Sequence, residues 1–359
     1  MNESKARELL RGLVSGGGLP PAAPEPELVP AIQAAARQQG LSGILLSALE
    51  REQPAWAGPL LGPLASERRQ RLARTLGQIA VAARALSQLE RAGIRALPLK
   101  GAALAETVYD LESDRPMGDV DLLALERWGE AAAALRAAGF EELALADHAR
   151  VLREPVLDVI VELHRSPTSA PGLFPLDAEA LWARRRKGAR QLAVLPSVED
   201  LLLQLALHAT FQHGFVLSLV QWLDFRRVFE RETVDVARLR ELAAAARAET
   251  PLAAALLAAE AVVGAPRAPA LTAGSLERLP RGLRRWLAPR LREPLLLVAP
   301  SPAAHARARW ELLAGRRAEL LWRTLVLPET SSGDTRLLPR LAQAAGRFAR
   351  LGKGALQRR

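Results

Sequence analysis

The segment from Arg95 to Leu125 constrains the fold of this chain more than any other stretch. An apolar run that contains Leu97 and Leu99 suits a short buried strand, and Gly101 then leads into a run of good helix formers. The first backbone N–H groups of a helix that begins at this glycine have no partner within the helix, so they attract phosphate. The sequence therefore predicts a strand, a glycine turn and a helix that together form an anion-binding corner.

Two aspartates follow in the pattern Asp119-Val120-Asp121-Leu122, which alternates acidic and apolar residues as a half-buried strand does. Because side chains alternate across a strand, both carboxylates are expected on one face. Such close carboxylates repel each other unless a cation lies between them, and Mg²⁺ takes oxygen ligands while leaving positions open for phosphates. The pattern indicates metal-assisted phosphoryl or nucleotidyl chemistry, and the alternative is a surface turn or strand edge with solvated acids.

These residues resemble the nucleotidyltransferase superfamily with the DNA polymerase β-like fold, and most closely its bacterial branch of uncharacterised family-5 nucleotidyltransferases. In that branch an L-K-G turn leads to an R-P-x-x-D-hydrophobic-D-hydrophobic strand, matched here by residues 99–101 and 115–122. The resemblance implies that Asp119 and Asp121 are catalytic and hold two Mg²⁺ ions, with Mn²⁺ as the alternative metal. It also implies transfer of a nucleoside monophosphate from a nucleoside triphosphate, such as ATP, to a hydroxyl acceptor. The acceptor stays open between a protein, an RNA and a small molecule.

A second strand is predicted over residues 156–164, which are rich in β-branched side chains. On this strand Asp158, Glu162 and His164 share one face. The resemblance selects Glu162 as the third catalytic and metal-binding acid, because family members carry an acid, a hydrophobic residue and a histidine here, usually with aspartate as the acid. Asp158 is the fallback, and a solvent-facing position is the alternative for Glu162. His164 is expected to orient a carboxylate or to pack in the core more often than to bind a metal.

Lys100, Gly101 and Arg115 are the candidate nucleotide-binding residues. The Lys100 ammonium can meet a triphosphate oxygen or cap the end of the first strand. Arg115 can likewise hold phosphate, or it can pair with a neighbouring acid in the same loop, Glu112 or Asp114.

Two further candidates, His208 and Asp224, lie on predicted helices downstream of the catalytic strands. The resemblance implies that this region forms a lid that binds nucleotide or acceptor. A buried hydrogen bond between His208 and Asp224 that braces the two helices is the competing interpretation.

The remaining chain is predicted to be mostly helical, because Ala, Leu and Arg dominate and aromatic residues make up only 4% of the sequence. We therefore expect an α+β fold, with a small mixed β-sheet and flanking helices inside a mostly α-helical chain. The expected divisions are an N-terminal helical region (1–92), a catalytic core (93–187), a C-terminal helical domain (188–330) and a basic tail (331–359). Within them, single helices are predicted over 66–91, 176–190, 239–263 and 303–326, and the helix over 281–297 is expected to break at its prolines.

The net charge of +10 suits a nucleotide or nucleic acid partner, although an arginine-rich solvated surface explains it equally well. The absence of cysteine excludes disulfides and thiolate metal sites. No run of about 18 apolar residues and no signal-peptide core is present, so a soluble, cytoplasmic protein is expected. Two other functions remain open: a degenerate nucleotide-binding protein without turnover, and a basic helical scaffold that binds nucleic acid or a partner protein.

Overall fold

A computed structural model of the 359-residue chain shows helices around one five-stranded sheet. The structure describes residues 2–20, 22–111, 114–145, 149–168, 170–188, 190–264, 269–272, 274–298 and 302–316. The expected α+β class, a small mixed sheet in a mostly helical chain, is confirmed. The predicted basic tail (331–359) and the second half of the helix predicted over 303–326 lie outside the described residues.

The central sheet has the spatial order β1-β2-β5-β4-β3, and only β2 and β5 run parallel to each other. Its strands are β1 (Ala96–Pro98), β2 (Val120–Ala124), β3 (Glu141–Leu145), β4 (Ala149–Glu154) and β5 (Val159–His164). All five residues of β2 are buried, since β1 and β5 flank this strand and helices cover it. The two predicted catalytic strands are therefore neighbours in the middle of the sheet.

Four helices precede the sheet: α1 (Asn2–Gly12), α2 (Leu28–Gln38), α3 (Ser42–Glu52) and α4 (Gly58–Arg91). A π-helical turn, Leu13–Gly17, follows α1. The 34-residue α4 ends as predicted before Gly93, whose φ of 68° is a left-handed conformation that glycine adopts without cost. Because α4 packs against β1, β2 and β5, it connects the N-terminal helices to the central sheet.

Three helices lie within the predicted catalytic core: α5 (Lys100–Thr107), α6 (Trp128–Ala137) and α7 (Ala178–Ala183). The helix predicted over 176–190 is wrong beyond Ala183, because the chain turns into a hairpin of β6 (Arg186–Lys187) and β7 (Val194–Leu195). Arg184 pairs with Asp200 at 2.8 Å and Arg186 pairs with Glu232 at 2.8 Å. These ion pairs neutralise two of the four consecutive basic residues at 184–187.

The C-terminal part of the described chain is helical. Its helices are α8 (Val198–Leu207), α9 (Leu219–Arg231), α10 (Val236–Ala245), α11 (Glu249–Val263), α12 (Pro269–Thr272), α13 (Ser275–Arg278), α14 (Arg281–Arg292) and α15 (Pro302–Leu312). The single helix predicted over 239–263 is wrong: it is two helices, because Arg247 adopts a left-handed φ of 52° and Pro251 fits the first turn of α11. The expected proline break occurs at Pro294, where a short 3₁₀ turn begins, whereas Pro289 lies inside α14.

The two faces of the sheet have different environments. Val120 and Leu122 of β2 face the main hydrophobic core, which extends from the N-terminal to the C-terminal helices. Leu123, on the opposite face, belongs to a small apolar cluster under α7 with Leu97, Leu99 and Leu181. Because Asp121 alternates with Val120 and Leu122, it shares the face of this smaller cluster. None of the helices among the described residues combines the length and the apolar character that a bilayer crossing requires.

Candidate active site

Three side chains from the two parallel strands meet at the centre of the sheet. Asp121 of β2 and Glu162 of β5 are direct partners in the strand register, and His164 lies two residues further along β5. His164 Nε2 lies 2.6 Å from Asp121 Oδ1 and 3.5 Å from Glu162 Oε2. One ligand atom from each of the three residues lies within 4.8 Å of the others, a spacing that suits a single cation.

Lys100 supplies the positive charge that faces Asp121. The backbone N–H of Leu99 donates to the Asp121 carbonyl at 2.9 Å, which fixes the end of β1 beside β2. The next residue, Lys100, then places its Nζ 3.1 Å from Asp121 Oδ1. Burial alone would raise the pKa of Asp121, but the Lys100 ammonium and the hydrogen bond from His164 hold it well below its usual range. Asp121 is therefore an ionised carboxylate throughout the physiological pH range.

Asp119 lies at the entrance to β2 and lines the same cavity as Asp121 and Glu162. Burial raises the pKa of Asp119 to about 6, and the negative charges of Asp121 and Glu162 add to the increase. The three predicted acids therefore converge, and they repel each other without a cation between them. A turn or strand edge with solvated acids, the alternative interpretation of the aspartates, does not describe this arrangement.

The fallback acid, Asp158, does not belong to this group. β5 begins only at Val159, and Asp158 lies in the preceding turn with a left-handed φ of 52°. Its side chain is 80% exposed and lies 3.6 Å from Arg153. The prediction that Asp158 shares the strand face of Glu162 is wrong, because the chain leaves the strand geometry before it reaches this residue.

The predicted turn and helix at Gly101 are present, but the helix begins at a different residue. α5 begins at Lys100 rather than after Gly101, and Lys100 itself adopts a left-handed φ of 43°. A side chain at Gly101 would meet Met117 Cγ at 2.9 Å and Met117 Sδ at 3.0 Å. Close packing of the Met117 side chain, rather than an unusual φ, therefore favours glycine at position 101. This places the first turn of α5 at the cavity wall.

Arg115 and Asp224 form a buried ion pair that links the loop of residues 115–119 to α9. Asp224, only 1% exposed, accepts at Oδ1 from Arg115 Nε at 2.7 Å and from the Tyr109 hydroxyl at 2.8 Å. Burial by itself lowers the pKa of Arg115, but the charge and hydrogen bond of Asp224, together with Tyr109 and a more distant acid, outweigh burial and raise the pKa above its usual value. Arg115 thus pairs across the chain rather than with Asp114.

His208 has a different partner from the one that the sequence suggests. It begins a π-helical turn, His208–Gln212, at the end of α8, and its Nε2 lies 3.1 Å from His213 Nε2. The predicted His208–Asp224 hydrogen bond is therefore wrong. Burial lowers the pKa of His208 well below its usual value, and the charge of Lys100 lowers it further, so this imidazole is neutral at pH 7.

These residues surround one cavity of about 700 Å³. The predicted residues that line it are Lys100, Gly101, Arg115, Asp119, Asp121, Glu162, His208 and Asp224, whereas His164 lies against Asp121 and is not among the lining residues. Sequence reasoning missed Arg37, Arg71, His213 and Gln221, which also line the cavity. Arg37 and Arg71 come from helices that precede the catalytic unit, so no local motif marks them.

The acids fit a divalent cation of the Mg²⁺ or Mn²⁺ type. Carboxylate oxygens are the ligands that these ions prefer, and Asp119, Asp121 and Glu162 offer them from one wall of the cavity. His164 donates to Asp121 and so orients this carboxylate, as residues beside metal ligands commonly do. The pKa of Asp119 is raised first by burial and then by the charges of Asp121 and Glu162, and a cation held between these acids would lower it.

Comparison with known proteins gives one match. A family model described as an uncharacterised nucleotidyltransferase matches residues 26–264, which is more than half of the chain. The match begins just before α2 and ends just after α11, so it contains the acids, the turn at Gly101 and the Arg115–Asp224 pair. No curated protein and no solved structure matches the chain.

Proposed function

The chain belongs to the family of uncharacterised nucleotidyltransferases, and on that premise we propose that it transfers a nucleoside monophosphate from a nucleoside triphosphate to an acceptor hydroxyl. Pyrophosphate leaves in this reaction. The observation that supports the proposal most strongly is the in-register pair of Asp121 and Glu162, with Asp119 at the entrance to the same strand.

Asp119, Asp121 and Glu162 are the residues that would hold the metal, and two Mg²⁺ ions, or Mn²⁺ ions in their place, are expected. Such ions, when bound, neutralise phosphate charge and stabilise the attacking and leaving oxygens of an in-line displacement. Asp121 is held in place for this purpose by His164 and by its buried strand. Asp119 and Glu162 are less enclosed and face the cavity, where substrate can reach them.

Lys100 and the first turn of α5 are proposed to bind the β- and γ-phosphates. Lys100 neutralises Asp121 in the structure. With a cation held by the acids, the Lys100 ammonium would be free to turn toward a phosphate oxygen. The N–H groups at the start of α5 add hydrogen-bond donors on the same wall of the cavity.

Glu162 is proposed to accept the proton of the acceptor hydroxyl. Its side chain is 29% exposed, whereas Asp121 is enclosed by Lys100 and His164. A carboxylate that is open to the cavity and next to the metal-binding acids is placed to take up a proton as the oxygen attacks the α-phosphorus. Arg115 acts indirectly, because its ion pair with Asp224 fixes the loop that carries Asp119.

The proposal is tested with nucleoside triphosphates labelled at the α-phosphorus, incubated with Mg²⁺ and a cell extract that supplies acceptors. The wild-type protein is expected to transfer the label to a protein, RNA or small molecule and to release unlabelled pyrophosphate. Glu162→Gln and Asp121→Asn are expected to reduce the rate by about 10³-fold or more, because each removes a group that acts in the transition state.

Asp158→Asn is the matched control, because it removes an exposed carboxylate one residue before β5 begins and should leave the rate unchanged. Nucleotide binding without label transfer would identify a degenerate nucleotide-binding protein. Salt-sensitive binding of RNA or DNA that is unaffected by these substitutions, with no nucleotide binding, would identify a basic scaffold.

A further inference from the structure

The cavity has a second cationic wall, formed by Arg37 of α2 and Arg71 of α4. Both residues belong to helices that precede the catalytic strands, and both line the cavity that contains the acids. Arg71 Nη2 donates to the carbonyl of Arg37 at 3.1 Å, so the two residues form one unit. The term "arginine wall" is used below for this pair.

The arginine wall carries an unbalanced positive charge. Glu67 lies 2.8 Å from Arg71 and 3.5 Å from Arg37, and within the described part of the chain it is the one carboxylate that either guanidinium contacts. The single Glu67 carboxylate therefore balances only one of the two guanidinium charges. The Arg37 side chain is 65% exposed while lining the cavity, whereas Arg71 is 17% exposed and held by Glu67. This combination leaves guanidinium donors available to a ligand.

The start of α9 adds to the same region. Gln221 lines the cavity and uses its amide oxygen to accept from the N–H and the hydroxyl of Ser218, which leaves the amide nitrogen as a donor. Gly40, just after α2, lies so close to α9 that a side chain would meet Val220 Cγ1 at 2.6 Å. The N-terminal end of α9 and its positive dipole are thereby held beside the arginine wall.

The other charged groups of the cavity each have a partner or a proposed role. Arg115 is paired with Asp224, and Lys100 is paired with Asp121. Asp119 and Glu162 remain for the metal, and the start of α5 remains for the triphosphate. The arginine wall is on different elements from all of these groups, so it offers a second anion site for a second substrate.

We propose that the arginine wall, together with Gln221, binds a phosphate group on the acceptor, so that the acceptor is a phosphate-bearing hydroxyl compound. This inference rests on the proposed nucleotidyl transfer. Guanidinium groups suit phosphate because their planar N–H fork donates two parallel hydrogen bonds. The phosphate anchors the acceptor so that its hydroxyl faces the acids across the cavity.

The test uses the full chain loaded with Mg²⁺ and an α,β-methylene nucleoside triphosphate, which cannot transfer its nucleotide. Methyl phosphate and dimethyl phosphate are then titrated into the loaded protein by calorimetry. Binding of the monoester alone indicates a small phosphorylated acceptor, and binding of the diester indicates a nucleic acid backbone. Either one supports the phosphate site.

Arg37→Ala and Arg71→Ala are expected to weaken the binding of methyl or dimethyl phosphate by about 10-fold or more, with the affinity for the nucleotide analogue unchanged. Arg37 is largely exposed, so its removal does not threaten folding. Arg68→Ala is the matched control: Arg68 lies one turn away on α4, pairs with Glu50 and does not line the cavity, so both affinities should stay the same.

Three results would overturn the inference. Loaded wild-type protein that binds neither phosphate ester has no second anion site. Equal binding by wild-type and Arg37→Ala proteins removes the arginine wall from the site. Weaker binding of the nucleotide analogue itself in the Arg71→Ala protein would assign the wall to the triphosphate. Failure of the proposed function is distinct. Either the analogue fails to bind before any phosphate ester is added, or the analogue binds while the α-labelled triphosphate transfers no label to any acceptor.

Discussion

Asp121 and Glu162 are paired residues in the parallel ladder between β2 and β5, the only parallel pair in the central sheet. Side chains at paired positions of neighbouring strands lie on the same face, so the two carboxylates are held side by side by the backbone. A shift of one residue in this register would turn one of them toward the main core. The geometry of the acidic site is therefore a property of the sheet rather than of a loop.

Asp119 makes the metal-free protein less stable as the pH rises. Its pKa is about 6 in the folded protein, against an ordinary value of 3.8. Between these two pH values the folded chain holds more protons than the unfolded chain. The free energy of unfolding therefore falls as the pH increases, and this decrease is complete above pH 6. In EDTA at pH 7.5, Asp119→Asn is therefore expected to be more stable than wild type by about 1 kcal/mol, after solvent screening is allowed for.

Thermal unfolding of both proteins from pH 4 to pH 8 measures this difference. The two curves should approach each other near pH 4, where Asp119 of the folded protein is protonated, and saturating Mg²⁺ at pH 7.5 should stabilise wild type more than Asp119→Asn. An Asn variant that is no more stable than wild type in EDTA at pH 7.5 would show that burial and the neighbouring acids do not disfavour the ionised form of Asp119.

Lys100 combines a side chain that pairs with Asp121 with a backbone conformation that is unfavourable for a residue other than glycine. Its φ of 43° is left-handed, which is a conformation that glycine adopts without steric cost. Lys100→Gly and Lys100→Ala both remove the ammonium that faces Asp121, so they differ mainly in the backbone. The glycine variant is expected to be more stable than the alanine variant by about 1 kcal/mol in urea unfolding. The opposite order would mean that this turn is not left-handed in solution.

The buried pair of Arg115 and Asp224 is expected to contribute strongly to stability. Asp224→Ala leaves the Arg115 guanidinium buried without a counter-charge, which costs about 3–5 kcal/mol of unfolding free energy. Asp110→Ala is the control, since Asp110 also pairs with an arginine, Arg231, but its side chain is 73% exposed and its loss should have little effect.

Arg115→Met in the Asp224→Ala background should recover part of the lost unfolding free energy, because it removes the unpaired charge. Denaturant unfolding of the three variants gives the values. Equal effects of Asp224→Ala and Asp110→Ala would contradict the buried ion pair.

Local sequence signals predicted the elements that carry the site. The alternation around Asp121 and the end of the helix predicted over 66–91 each depend on a few neighbouring residues, and each is present in the structure. The start of β5 was predicted too early because Val156 and Leu157 are apolar, yet Val156 is 83% exposed in the preceding turn. Apolar character alone could not place Asp158 correctly.

Long-range partners could not be predicted from local patterns. Arg115 and Asp224 are 109 residues apart in sequence, and each has closer residues that are chemically plausible partners. Arg37 and Arg71 reach the cavity only because α4 packs on the sheet and α2 packs on α4. The β6–β7 hairpin likewise depends on the ion pairs of Arg184 and Arg186 with distant acids. Such contacts arise from tertiary packing, which the helical periodicity of a sequence does not predict.

Titration of Mn²⁺ into the metal-free protein, followed by electron paramagnetic resonance of the free ion, tests the acidic site most directly. Wild-type and Asp158→Asn proteins are expected to bind Mn²⁺ equally, whereas Asp121→Asn and Glu162→Gln should weaken binding at least about tenfold, because each removes a carboxylate ligand. Mn²⁺ binding that is absent from wild type, or that survives unchanged in Asp121→Asn and Glu162→Gln, would contradict the assignment of these paired strand residues as a metal site.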